Sequence, residues 1–299
     1  MSTVRTTPSS GVSFLVLAGV LWGTGGLLGR MLGDATGLSS LALATYRLAA
    51  GGLLLLGCLL VRGARLPRSR AAWARIAAVG ALAALFQVSY FTAVSFTSVS
   101  VATLVTIGSS PVLVLLVRPS GADRRGLSAV GLALAGLVLL VGVPADGGPS
   151  TGAAFAGAAC ALVAAAGFTA MSLLGARPVP GLDAMTTTGA GFTLGGALLA
   201  PLALATSGLA FAPTTGSIGL LLAFGLVPTA VAYTCYFRGL RSAPAGVGVL
   251  MALLEPVTSA VLSAVLLGER LGVSGIVGGL LLCAAMVLTA KGQGRARSS

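Results

Sequence analysis

Long apolar runs separated by short polar segments recur along the whole chain. About 20 mostly apolar residues cross the hydrocarbon core of a bilayer as a helix. In lipid only helices or closed barrels satisfy the backbone, and runs of this length indicate helices. The pattern therefore predicts an all-α polytopic membrane protein with ten transmembrane helices. The predicted spans cover residues 11–32, 38–61, 74–96, 99–118, 125–143, 151–173, 183–206, 216–238, 244–266 and 271–290.

Composition supports the same class of protein. The 299 residues are 56% hydrophobic and 8% charged, with a mean hydropathy of +1.03. A water-soluble domain carries about 25% charged residues, because its surface must be hydrated. The net charge of +12 could indicate nucleic-acid binding. However, the basic residues lie in short loops without interleaved aromatic residues, so no nucleic-acid partner is predicted.

The distribution of basic residues predicts the topology. With a cytoplasmic N-terminus, 15 of the 18 basic residues fall in cytoplasmic segments. Arg30 and Arg270 fall in outer segments, and Arg47 lies within the second span. Because cytoplasmic loops carry an excess of arginine and lysine, we expect ten spans in the cytoplasmic membrane, with both termini in the cytoplasm.

Two stretches of the chain share one pattern. A Tyr-Phe pair beginning at Tyr90 leads to Pro111, and a second pair beginning at Tyr236 leads to Pro256, roughly half a chain length later. Such self-similarity indicates an internal repeat. Chance similarity between segments rich in alanine, leucine and glycine is the alternative.

The repeat divides the chain into two halves, residues 1–145 and 146–299. Five spans per half is an odd number, so the second half must enter the membrane from the opposite side. We therefore predict two inverted five-helix repeats, an architecture of many secondary transporters.

Two charged residues lie deep inside predicted spans, Arg47 in the second and Glu255 in the ninth. A charge at the centre of a membrane helix costs about 2.5 to 3.5 kcal/mol on insertion scales, so it should face a cavity or a partner. Glu255 could bind a proton and couple its release to solute movement, or it could stay neutral or pair with a basic side chain. Arg47 could bond helix-end carbonyls, pair with an acid such as Glu255, or contact an anionic solute.

Large polar or amphipathic side chains inside the spans complete the candidate pathway: Trp22, Gln87, Tyr90 and Tyr233. An amide in lipid needs a hydrogen-bond partner, so Gln87 is expected to face the interior. Aromatic residues near span ends usually form interfacial belts. That alternative stays open for Trp22 and Tyr90, and it is the expectation for Tyr236.

Pro111 and Pro256 occupy matching places in the two halves. Proline in a helix removes one backbone hydrogen bond and bends the axis. We therefore predict a hinge or a cavity-lining carbonyl at each, with Pro228 as a weaker candidate of the same kind. The alternative is that proline is simply more common in membrane helices.

Residue types that several chemistries require are missing. The chain has no histidine, which excludes most zinc sites and every His-dependent nucleophile. Its four cysteines lie in apolar runs without CxxC spacing, so neither a metal site nor a disulfide scaffold is indicated. We expect no metal and no enzymatic activity.

Several of these motifs together resemble the EamA-type permeases of the drug/metabolite transporter superfamily. In one respect the chain departs from them. Where the first repeat usually ends in a triplet like Leu-Gly-Glu, this chain has Arg118-Pro119-Ser120-Gly121, which removes one acid of a pair. The resemblance is carried by Trp22-Gly23, Arg47, the segment YFTAVSFTSVSVATL before Pro111, residues 236–282, Glu255-Pro256 and Leu267-Gly268-Glu269.

The resemblance implies export of amino acids, other small metabolites or drugs without a cofactor. We accordingly predict a secondary active transporter that works by alternating access, with a small solute and the lipid bilayer as partners and protons as the candidate coupling ion. A passive facilitator or channel is the alternative. A membrane-embedded enzyme is a weaker one, since it would need clustered catalytic groups.

Overall fold

The computed structural model describes residues 8–64, 66–97, 99–117, 124–141, 151–267 and 272–295. Within these ranges every regular element is a helix. Seven helical segments of the described chain are long and apolar enough to cross a membrane, and three further apolar helices are shorter. The chain is therefore an all-helical, multi-pass membrane protein, while a count of ten spans stays a prediction.

The predicted apolar runs correspond to helices, but two of them are interrupted. The run 216–238 contains α8, a π-helical segment and α9, and the run 244–266 contains α10 and α11. The bounds are α1 (Pro8–Thr36), α2 (Ser40–Val61), α3 (Arg70–Phe96), α4 (Val99–Val117), α5 (Arg124–Val141), α6 (Thr151–Gly175), α7 (Ala184–Thr206), α8 (Thr215–Gly225), the π-turn (Leu226–Val231), α9 (Ala232–Leu240), α10 (Ala245–Met251), α11 (Leu254–Leu267) and α12 (Val273–Arg295).

Three parts of the sequence interpretation lie outside the described residues. These are the boundary between the two predicted halves at residues 145 and 146, the segment Arg118-Pro119-Ser120-Gly121, and Gly268-Glu269 of the second Leu-Gly-Glu triplet.

Short polar residues determine where several helices begin. Ser39, Ser69 and Asp183 each accept a hydrogen bond from a backbone N–H three residues further on. Each thereby satisfies one of the amide groups that the first helical turn leaves without a partner. Between α1 and α2, Gly37 has a φ of +69°, which allows a tight connection at no steric cost.

Helix packing follows a pattern that relates the two halves of the chain. Helix α2 packs along α7, and α5 packs along α12. Helix α3 contacts α6 and α7, while the interrupted segment from α8 to α9 contacts α1 and α2. Helix α4 contacts α6, and α11 contacts α1. Each of these contacts therefore has a counterpart when every apolar run is replaced by the run five places away in the chain. The contact of α3 with α6, for example, corresponds to that of the α8–α9 run with α1.

Glycines make the closest of these crossings possible. A Cβ on Gly52 of α2 would lie 2.3 Å from the backbone nitrogen of Thr193 in α7. On α1, a Cβ at Gly19 would lie 2.4 Å from the carbonyl oxygen of Met251, and one at Gly23 would lie 2.9 Å from that of Glu255. Small residues let membrane helices approach to backbone contact, and here they do so within one chain.

The interior is packed at one end of the bundle and open at the other. We call the end at which residues 37–39 join α1 and α2 the mouth end, and the end at which residues 176–183 join α6 and α7 the closed end. Toward the closed end, the side chains of Leu15, Met171 and Tyr236 are at most 1% exposed. A core therefore fills the closed half of the bundle, and a cavity occupies the other half.

Candidate functional site

A cavity of about 650 Å³ lies between the helices and extends to the mouth end. Its volume falls within the range of small-molecule sites in proteins. Arg30, Asp34 and Ser40 line the outer part, at the end of α1 and the start of α2. All of the sequence-predicted pathway residues line this cavity, namely Trp22, Arg47, Gln87, Tyr90, Tyr233 and Glu255.

Aromatic rings form the floor of the cavity. Trp22 on α1 packs edge-on against Tyr233, with ring centroids 4.8 Å apart, and against Phe168 of α6 at 5.9 Å. Its side chain is 2% exposed, and its indole N–H has no hydrogen-bond partner among the described residues. Trp22 is therefore an interior residue rather than part of an interfacial belt.

Tyr236 was predicted to lie at the membrane interface, and this prediction was wrong. Its side chain is completely buried, and its ring centroid lies 4.9 Å from that of Trp22. The hydroxyl group forms a hydrogen bond of 2.7 Å with Ser172 of α6. The polar end of this tyrosine is satisfied inside the bundle, so it has no need to reach the headgroup region.

Arg47 stabilises the π-turn of the eighth run. Its Nε donates to the hydroxyl oxygen of Thr229 at 3.1 Å, and its Nη2 donates to the carbonyl oxygen of Pro228 at 3.2 Å. The guanidinium also lies 5.4 Å from the ring centroid of Phe224, a favourable cation–π distance. Arg47 thus bonds one backbone carbonyl and one hydroxyl of the π-turn, and it does not make these bonds to Glu255.

The π-turn exists because Pro228 has no backbone N–H to donate within the helix. The hydroxyl of Thr229 donates instead to the carbonyl oxygen of Phe224, at 3.1 Å. Inserted residues of this kind are common at functional sites in helices. The turn lies between two cavity-lining residues, Phe224 two residues before it and Tyr233 two residues after it, so a backbone irregularity lies next to a candidate binding surface.

Glu255 lies in the first turn of α11, directly after a break in the ninth run. Helix α10 ends at Met251, and the amides of Leu253 and Glu255 bond carbonyls only three residues earlier. A carboxylate in the first turn of a helix is favoured by the helix dipole. The break therefore places the deep acid at a helix start that borders the cavity.

The two predicted hinge prolines differ in their surroundings. Pro256 follows Glu255 in the first turn of α11, next to the break, where the missing N–H costs little. Pro111 lies within α4, which continues on both sides of it. An interruption of the helix is thus found at Pro256 and not at Pro111, and hinge motion at either stays a prediction.

Gln87 and Tyr90 line the opposite wall, on α3. The Tyr90 hydroxyl forms a 2.8 Å hydrogen bond with Thr103 of α4, and its ring stacks on Phe86 at 6.1 Å. Gln87 is 5% exposed and borders the cavity. The prediction that this amide faces the interior is confirmed.

Sequence reasoning missed several residues of the cavity wall. Phe86 and Phe168 are apolar residues in apolar runs, and no sequence pattern separates a ring facing a cavity from one facing lipid. Thr106 and Ser110 lie one turn apart on α4, which is the signal that could have found them. Their side chains are 1% exposed, and both line the cavity.

Comparison with known proteins places this architecture in a family. The sequence model described as the EamA-like transporter family matches residues 9–142 and again residues 154–291. The chain belongs to the EamA-like transporter family. This family is part of the drug/metabolite transporter superfamily, as the sequence motifs predicted.

Individual relatives agree with this family membership. The chain is 29% identical over 278 residues to the "Uncharacterized transporter YwfM" of Bacillus subtilis (strain 168), covering 93% of each protein. A crystal structure of another protein, at 22% identity, matches with a TM-score of 0.77 over 94% of this chain and 96% of that one. The latter likeness shows the fold alone. Family and relative together support a membrane transporter rather than an enzyme.

Proposed function

We propose that this EamA-like protein is a secondary active transporter of the cytoplasmic membrane that exports a small organic solute by alternating access. The observation that carries the proposal is the cavity of about 650 Å³, which opens at the mouth end and stops at a packed core. A carrier needs a central site that reaches one side at a time. A passive channel needs a continuous path instead.

The proposed architecture is ten transmembrane helices in two inverted halves. It is supported by the paired packing of helices five spans apart, such as α2 with α7 and α5 with α12. Two successive family matches, to residues 9–142 and 154–291, fit the same division. The excess of arginine in the segments at the closed end favours a cytoplasmic closed end and an outward-open cavity.

The cavity lining favours a solute with both an apolar body and polar groups. The rings of Trp22, Phe168 and Tyr233 offer apolar faces, while the amide of Gln87 and the carboxyl of Glu255 offer polar contacts. Sites for small molecules combine apolar walls with a few placed polar groups in this way. The proposed solutes are small metabolites, amino acids or drugs.

Glu255 is the proposed proton-coupling site. It is the only acid deep inside a predicted span, and it lies at a helix break beside the cavity. Intramembrane carboxyls commonly take part in proton relays of transporters. Protonation there would change the charge that a solute meets in the cavity, which links solute binding to a proton gradient.

The first experiment identifies a solute. Purified full-length protein is screened by thermal shift against metabolite and drug panels, since a ligand at 100 times its Kd stabilises the folded state by about 2.7 kcal/mol. Solutes that raise the melting temperature are then tested for uptake into proteoliposomes with and without a pH gradient. Gradient-driven accumulation supports the proposal, whereas flux that only equalises concentrations indicates a passive facilitator.

The second experiment tests the coupling role. Glu255→Gln keeps the size of the side chain but cannot exchange a proton, so accumulation driven by the pH gradient should disappear while solute exchange persists. Asp34→Asn, at the cavity mouth, is the matched control and should keep gradient dependence. Unchanged accumulation by Glu255→Gln would remove Glu255 from this role.

A further inference from the structure

Tyr236 connects four helices at the point where the cavity ends. It belongs to α9, its ring packs on Trp22 of α1 and on Phe168 of α6, and its centroid lies 5.8 Å from that of Phe168. On α10, a Cβ at Gly248 would lie 3.2 Å from the Tyr236 hydroxyl. The tyrosine therefore fills the space that a path from the cavity floor to the closed end would need.

A short chain of hydrogen bonds holds Tyr236 in place. The hydroxyl of Ser172 donates to the carbonyl oxygen of Phe168 at 2.7 Å. Its oxygen is then free to accept from the Tyr236 hydroxyl, also at 2.7 Å. Both side chains are completely buried. Since Phe168 lines the cavity, this chain joins the cavity wall to the core beneath it.

Two buried side-chain groups of the described chain lack a hydrogen-bond partner, the indole N–H of Trp22 and the hydroxyl of Thr234 on α9. The indole N–H of Trp22 lies against the same ring cluster with no acceptor in the described part of the chain. A buried donor without a partner is unfavourable by an amount similar to that of a made hydrogen bond. The Tyr236–Ser172 bond therefore helps to hold the cluster in an arrangement that leaves the Trp22 indole unsatisfied.

The break in the ninth run lets one side of the cluster move. Helix α10 covers only Ala245–Met251, and it is separated from α11 at Ala252 and Leu253. It contacts α1, α4, α6, α9 and α12. A half-helix bounded by a break can shift without moving the remainder of its span.

We propose that the Tyr236–Ser172 hydrogen bond is the latch that keeps the closed end of the cavity shut, and that α10 is the element that moves when the latch opens. The inference rests on the proposed alternating access. Opening breaks the bond between the two hydroxyl groups, displaces Gly248 from the Tyr236 ring, and gives the Trp22 indole access to an acceptor.

The native Cys235 provides a reporter of opening. It neighbours Tyr236 on α9, is 9% exposed, and belongs to the same buried cluster. The other cysteines (Cys58, Cys160 and Cys283) are replaced by serine in the full-length protein. The rate at which water-soluble N-ethylmaleimide labels Cys235 then measures how often the closed end opens.

Tyr236→Phe and Ser172→Ala should each raise this rate about five- to tenfold, the factor that corresponds to one buried hydrogen bond. The double variant should label no faster than the faster single variant, because both changes remove the same bond. The matched control is Tyr46→Phe, which removes a 2.6 Å hydrogen bond to the carbonyl of Leu209 at the mouth end. That control should leave the rate unchanged.

A second reporter separates opening from general loosening. Ala203→Cys, in the background lacking the native cysteines, places a thiol at a completely buried position of α7 near the mouth end. Its labelling should stay constant in both latch variants. An unchanged Cys235 rate, an equal rise at both reporters, an additive double variant, or an equal rise with Tyr46→Phe would each overturn the latch. Because the assay measures accessibility and not flux, its failure is distinct from a failure of transport in proteoliposomes.

Discussion

Thr229→Val tests whether the π-turn depends on side-chain hydrogen bonds. Thr229 is completely buried, and its hydroxyl accepts from Arg47 and donates to the carbonyl of Phe224. Valine keeps the shape of the side chain and loses both bonds. Because Pro228 has no N–H, the carbonyl of Phe224 lacks the donor four residues on that a regular helix supplies, and Arg47 keeps an unpaired Nε–H.

The expected decrease in the free energy of unfolding follows from the loss of these two hydrogen bonds. A bond to a charged donor contributes about 1.5 to 3 kcal/mol and a neutral one about 1 kcal/mol, whereas hydrogen bonds between membrane helices average about 0.6 kcal/mol. Taking the low end of each, Thr229→Val should lower the free energy of unfolding by about 2 kcal/mol. Reversible unfolding in mixed micelles measures this quantity.

A matched threonine in a regular helix provides the control. Thr188 is also completely buried, and its hydroxyl donates to the carbonyl of Ala184 one turn earlier. That carbonyl keeps its backbone partner, so Thr188→Val should cost less than about 1 kcal/mol. If Thr229→Val and Thr188→Val lowered the free energy of unfolding equally, the π-turn would not depend on the side-chain bonds of Thr229.

A double-mutant cycle tests whether Thr229 stabilises the π-turn through its hydrogen bond with Arg47. Arg47→Lys keeps the charge but removes the Nε donor and the planar guanidinium. In that background, Thr229→Val should cost about 1 kcal/mol less than in the native protein, since one of its two bonds is already absent. A coupling energy near zero would show that Arg47 does not stabilise the turn through Thr229.

Two further predictions compare matched positions. Gly52→Ala should destabilise the fold by about 1 to 3 kcal/mol, because the added methyl would lie 2.3 Å from a backbone nitrogen of α7. Gly57→Ala, on the same helix with nothing within 4 Å, should be neutral or stabilising by up to about 1 kcal/mol in the same unfolding assay; the reverse order would contradict the packing. Pro256→Ala supplies an amide that can bond the carbonyl of Ala252, so it should raise the melting temperature and slow transport in proteoliposomes. Pro111→Ala, in a helix that is already continuous, should slow transport less, and a larger effect there would contradict the assignment of the break.

The cavity lining could be predicted from the sequence to the extent that it is polar. Arg47, Gln87 and Glu255 lie in runs that are otherwise apolar enough to face lipid. Exposing these polar side chains to lipid is so unfavourable that an interior position follows from their identity. The structure places all three at one cavity. Their contact with a solute stays a prediction.

Partners across the bundle could not be predicted in the same way. Arg47 bonds Thr229 and Pro228 in the opposite half of the chain, and no local pattern links these positions. Tyr236 has the spacing and location of an interfacial residue, yet the neighbouring helices α1 and α6 cover it. Which face of an apolar helix is covered depends on packing against neighbours, and a nearly uniform apolar run does not encode it.

The irregular backbone of the described chain is concentrated beside the cavity. A helix in lipid must satisfy every backbone group internally, and interruptions are tolerated only beside a cavity or where side chains replace the lost bonds. The break before Glu255 lines the cavity through Ala252 and Glu255, and the π-turn lies between the cavity-lining residues Phe224 and Tyr233. The corresponding first-half helices, α3 and α4, run without interruption. The irregular segments beside the cavity therefore belong to the second half of the sequence, whereas the corresponding helices of the first half are continuous.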